Sequence, residues 1–139
     1  MAYGPIISHR QMPTEIRQLS TERKVVIQWP SGNTSQSIDY PMEYLRIACP
    51  CAECRGHTPS QRQLIDGKQD VVVTVITMVG HYAIKIAFSD GHDSGVYTWD
   101  NLYNLGISYD RYWSEYLQEL QQAGKRRRPS VFMIKPISA

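Results

Sequence analysis

Three cysteines within six residues, Cys49-Pro50-Cys51-Ala52-Glu53-Cys54, constrain this chain more than any other feature, and they are its only cysteines. Thiolates spaced C-x-C-x-x-C converge in space on almost any backbone path. The chemistry that rewards such convergence is coordination of a soft metal, zinc or an iron–sulfur cluster. The flanking residues Pro50, Glu53, Arg55 and Gly56 argue against the bland alternative, three thiols buried as small hydrophobes. Three thiolates leave a tetrahedral ion one ligand short, so the next question is the fourth donor.

Four histidines are available, His9, His57, His81 and His92. His9 stands in an N-terminal lead-in, and His81 at a hairpin tip where a polar residue needs no further explanation. His57, three residues past Cys54, would close a local knuckle. His92, in the turn Asp90-Gly91-His92, would close a loop of about forty residues, the kind of cross-link that restricts an unfolded chain most. Spacing alone leaves both His57 and His92 open.

The 139 residues suit one domain, with a mobile segment expected over 1–13, the folded domain over 14–124 and a basic tail over 125–139. The longest apolar-rich stretch, 71–79, is too short to span a bilayer. An odd cysteine count and an N-terminus without an export pattern point to a reducing, cytoplasmic setting. The run Lys125-Arg126-Arg127-Arg128 follows a helix end, where cations complement exposed carbonyls. With a net charge of only +2 it does not suggest a nucleic-acid partner.

A strand is expected over 24–29, which is rich in β-branched and aromatic residues, with 15–19 a short strand before it and 34–40 its hairpin partner after the turn at 30–33. Strands are expected again over 71–79, 82–88 and 94–99, separated by Gly-His and Asp-Gly turns. Pro41 in the first helical position opens a helix to Ile47 that leads into the cysteines. Asp100 would cap a helix stopped by Gly106, and Ser108 a longer one stopped by Gly124. In the longer helix Tyr109, Tyr112, Trp113, Tyr116, Leu117 and Leu120 form one stripe. The fold class is therefore α+β, antiparallel sheet with a metal-binding cysteine loop and C-terminal helices.

Tyr44-Leu45-Arg46-Ile47-Ala48-Cys49-Pro50-Cys51-Ala52-Glu53-Cys54-Arg55-Gly56, then Val79-Gly80-His81-Tyr82-Ala83-Ile84, then Phe88-Ser89-Asp90-Gly91-His92-Asp93-Ser94-Gly95-Val96-Tyr97-Thr98-Trp99, occur in that order. Together, from about Glu15 to Leu120, they resemble the gamma-butyrobetaine hydroxylase-like N-terminal domain family, whose stand-alone bacterial members have no known function. One departure is Trp29-Pro30-Ser31-Gly32, where the family commonly carries Trp-x-Asp-Gly.

The resemblance implies one zinc ion per chain, held by Cys49, Cys51, Cys54 and His92. Four ligands would close the site, so the expected role is structural and non-catalytic. Arg46 and Arg55 flank the loop and are placed to offset the negative charge of three thiolates on zinc, while Asp90 or Asp93 could orient the free nitrogen of His92. No histidine has an acidic residue two positions on, so the His-x-Asp/Glu start of an iron oxygenase site is missing. In longer proteins the family's domain accompanies an oxygenase or a P-loop ATPase of iron–sulfur cluster handling. By analogy a stand-alone copy would dock onto a protein partner or self-associate. The rival reading is an iron–sulfur cluster carrier using the same ligands.

Overall fold

The computed structural model describes residues 11–56 and 59–129. His9 and His57, both weighed as ligands, lie outside the described residues, as do most of the N-terminal segment and the tail beyond Pro129. The chain runs β1 (Glu15–Leu19), β2 (Lys24–Ser31), β3 (Thr34–Pro41), α1 (Met42–Ile47), α2 (Ala52–Arg55), a 3₁₀ turn (Pro59–Gln61), β4 (Val73–Val79), β5 (Ala83–Phe88), β6 (Gly95–Thr98), α3 (Trp99–Ile107) and α4 (Tyr109–Ala123). The strands form two antiparallel sheets, β1-β2-β3 and β4-β5-β6. This is the α+β class expected.

Strand β2 sits at the centre of its sheet, and alternation buries Val25, Ile27 and Trp29 completely. Its Pro30 looks out of place in a central strand, since proline has no N–H to give. The Gln28 carbonyl accepts from the Thr14 N–H on the β1 side, so Pro30, two residues on, faces that same side. There β1 has already ended, its first residue Glu15 pairing with Gln28. Proline is therefore at an edge in all but name. In the second sheet Ile84, Ile86 and Phe88 point inward and Lys85 outward.

Both sheets, α1 and α3 share one core built around Trp29, Tyr40, Tyr44, Leu45, Ile84, Ile86, Tyr97 and Trp99. Buried tyrosines clip it together through their hydroxyls. Tyr40 donates to the Leu102 carbonyl (2.7 Å), Tyr44 to Leu105 (2.7 Å) and Tyr97 to Leu45 (2.6 Å). Trp29 Nε1 in turn donates to the Tyr40 hydroxyl at 3.3 Å. Tyr40→Phe would leave a buried indole N–H and a carbonyl without that oxygen. It is expected to cost about 1–3 kcal/mol. An unchanged urea midpoint would rule this out.

Several local expectations need correction. Pro41 is the residue before α1 rather than its first member. Thr98, not Asp100, caps α3, its hydroxyl accepting from Asn101 N–H at 3.2 Å. Helix α3 runs through Gly106 to Ile107. A Cβ on Gly106 would lie 2.7 Å from the Tyr40 hydroxyl and 2.8 Å from Ile38 Cγ2, so that glycine serves helix-to-sheet packing, not termination. Ser108 precedes α4 but gives it no side-chain cap; its hydroxyl donates to Asn104 Oδ1. Leu117 drops out of the α4 stripe and is 40% exposed. Gly124 does end α4 in the left-handed conformation (φ 67°). Among the described residues no helix is long and apolar enough to cross a membrane.

Candidate metal centre

Helix α1 delivers the chain to Cys49, whose N–H still bonds back to the Arg46 carbonyl (3.2 Å). Pro50 then disfavours helix for the residue before it, and the chain breaks direction. It restarts at once: the N–H groups of Cys54 and Arg55 both return to the Cys51 carbonyl, forming the single turn α2. Cys51 and Cys54, at i and i+3, thus share one face of that turn. Arg55, buried, donates to the carbonyls of Cys49 (3.1 Å) and Ile47 (3.4 Å) and so braces the loop from behind.

The fourth residue arrives from the β5–β6 turn. Asp90 Oδ1 accepts from the His92 N–H (3.1 Å), and the His92 carbonyl accepts from Phe88 N–H (2.9 Å). Thus held, His92 Nε2 lies 3.2 Å from Cys49 Sγ, 3.4 Å from Cys51 Sγ and 3.7 Å from Cys54 Sγ. The four donor atoms all fall within 4.8 Å of one another. Cys49 and Cys54 are buried and Cys51 half-buried, with no disulfide among them. This Cys₃His group can hold a metal ion. On the more open side the Ser94 hydroxyl is 3.4 Å from His92 Nε2.

The electrostatics around the group are lopsided. Burial pushes the Cys49 thiol well up. Burial also pushes Cys51 up, but hydrogen bonds from Ser94 and the Cys54 backbone outweigh it and leave that thiol below its ordinary value. Arg46 Nη1 points at Cys54 Sγ (3.7 Å), while its Nε donates to Asp90 Oδ2 (2.9 Å). Lys68 Nζ meets the same Asp90 oxygen at 2.7 Å. Against the opposing effect of burial, Lys68, Arg46 and the His92 N–H hold the Asp90 carboxyl down at about 2.

Of the residues expected to support the ligands, Arg46 does face a sulfur. Asp90 is a turn-former, binding the backbone of His92 rather than its ring. The carboxylate near the ring is Glu53, whose Oε2 is 4.0 Å from Nδ1. Neither Glu53 nor Lys68 was singled out from the sequence. Glu53 sits inside the cysteine motif, where its spacing between the ligands is the one available hint. Lys68 carries no hint, because only the tertiary fold brings its polar loop to Asp90.

Residues 16–103 match the family described as gamma-butyrobetaine hydroxylase-like, N-terminal. The chain belongs to this family. The match spans all four residues of the Cys₃His group and stops within α3, so α4 lies beyond it. A crystal structure of a DUF971-family protein of unknown function from Acidithiobacillus ferrooxidans is 37% identical, with a TM-score of 0.56 over 68% of this chain and 92% of that one. An NMR solution structure, also 37% identical, aligns at a TM-score of 0.74 over 93% of this chain and 99% of that one. A second NMR structure at 31% identity gives 0.74 over 99% and 100%. The dioxygenase str8 of Strobilurus tenacellus is 35% identical over 94 residues, 63% of this chain. The chain spans only 21% of that relative's length.

Proposed function

We propose that this family member is a non-catalytic module in which one structural zinc ion is held by Cys49, Cys51, Cys54 and His92, and which works by engaging a protein partner or a second copy of itself. The observation that carries the zinc reading is the donor geometry. A tetrahedral zinc with Zn–S of about 2.3 Å and Zn–N of about 2.0–2.1 Å sets its sulfur and nitrogen donors about 3.6 Å apart. The three contacts of His92 Nε2, from 3.2 to 3.7 Å, bracket that edge. A binuclear iron–sulfur cluster divides four ligands between two irons and spreads them beyond one tetrahedron, which fits the 4.8 Å limit less well.

Four protein donors leave a tetrahedral ion no position for water, which supports a structural rather than hydrolytic role. The interaction reading draws on the exposed apolar side chains of the second sheet, Val75 and Val96 on its outer face and Met78 along β4. It also draws on the str8 relative, where the matched stretch is a fifth of a longer protein.

Protein purified without oxygen is expected to be colourless and to carry one zinc per chain. A brown protein with iron and sulfide would sink the zinc reading in favour of a cluster carrier. For the interaction, sedimentation and capture of the native chain are expected to show a defined dimer or a stoichiometric complex. A strictly monomeric chain with no partner would count against it.

A further inference from the structure

Just after Gly124, over residues 125–129, the chain turns back onto the domain. The Arg126 carbonyl accepts from Gly67 N–H (2.9 Å) and the Arg127 carbonyl from Gln69 N–H (3.0 Å). Lys68 is therefore fixed between two backbone hydrogen bonds, and its ammonium reaches Asp90. The Arg127 side chain points elsewhere. Its Nε and Nη2 grip the Glu43 carboxylate bidentately at 3.0 and 2.7 Å, and its guanidinium lies 5.2 Å from the centre of the Trp113 ring. Glu43 is only 8% exposed while Arg127 keeps 39% of its side chain in solvent, so the pair is sheltered on the carboxylate side, and its bidentate geometry makes it specific. It sits on α1, one turn before Arg46, the other cation that reaches Asp90.

Two adjacent residues after the last helix thus grip both elements that supply cations to Asp90, and Asp90 fixes the backbone of His92. We propose that the segment Arg126–Arg127 is a strap that governs metal retention at the Cys₃His centre, with Arg127 as its positioning residue. The inference rests on the metal reading above. It gives the basic run a job inside the molecule: Arg127 is half-buried and Arg126 is held through its backbone carbonyl, while the Lys125, Arg126 and Arg128 side chains stay exposed.

The test uses the full chain loaded with zinc, mixed with excess colorimetric chelator, with release followed in time. Arg127→Met is expected to release zinc at least about five-fold faster than wild type, and Arg127→Lys to recover part of the difference, since an ammonium cannot bind bidentately. Arg128→Met should match wild type. Val26→Ala, a buried substitution in the first sheet, controls for general loosening at an equal drop in melting temperature. Should Arg127→Met prove too unstable to load, Glu43→Gln removes the same charge pair by a smaller change. If neither variant releases faster than the matched Val26→Ala control, the strap is overturned and the metal centre stands. A wild-type chain that takes up no zinc overturns both.

Discussion

Replacing His92 with alanine is expected to strip the metal and lower stability by about 4 kcal/mol or more, because structural zinc contributes folding energy outright. For a domain of this size that corresponds to a fall in melting temperature of roughly 12–16 °C. The reasoning is topological as well as chemical. Cys49, Cys51 and Cys54 come from one short loop, and the β5–β6 turn is the other end of the tether. Without the imidazole, three thiolates remain near one another with burial working against Cys49 ionising, and only the weaker links through Ser94 and the Arg46–Asp90 pair tie them to the second sheet. Elemental analysis and thermal melts of wild type and variant, each with and without chelator, separate the outcomes. Chelator should destabilise wild type to the level of the variant and leave the variant almost unmoved. A His92→Ala protein that kept one zinc per chain and a wild-type melting curve would mean that the fourth ligand lies elsewhere, and that the site has an open position for chemistry.

The central strands were legible because β2, β4 and β5 are short runs rich in β-branched or apolar residues bounded by turn formers, whereas the polar β1 and β3 could be placed only as partners of β2. What escaped was decided by contacts distant in sequence. Helix α2 is one turn long, too short to show any periodicity, and exists because Pro50 resets the chain just before it. The choice between Thr98 and Asp100 as cap is not visible in the sequence, since both side chains suit it. Trp99 decides by burying its ring beside Trp29, with Nε1 donating to the His81 carbonyl (2.7 Å), so the helix starts there. At the candidate metal centre the grouping of Cys49, Cys51 and Cys54 was readable from spacing, and His92 joined it through family resemblance. The supporting charges were readable only where they sit near the ligands in sequence, as Arg46 does. Lys68 and Arg127 reach the network through a polar loop and a basic run that, in one dimension, look like ordinary solvated segments.

Gly95→Ala is expected to damage the centre without replacing any residue of the Cys₃His group, lowering metal affinity at least about ten-fold and stability by about 2–3 kcal/mol. Gly95 opens β6 three residues after His92, so the strand that follows the His92 turn runs past the cysteine loop. A methyl group there would sit 2.7 Å from Cys49 Sγ and 3.0 Å from Tyr97 Cε1, both too close. Neither neighbour gives way cheaply. Tyr97 is fully buried and anchored through its hydroxyl to the Leu45 carbonyl, and a metal-bound sulfur cannot rotate without leaving the ion. Without metal, Cys49 is free to change rotamer and relieve the clash. The substitution should therefore cost more in the metal-loaded protein than in the stripped one, and the gap between their melting temperatures should shrink relative to wild type. An equal penalty in both forms would show that the methyl group is felt only as core overpacking. Wild-type affinity in the variant would show that Cys49 does not need the space that Gly95 leaves, and would put its place among the ligands in question.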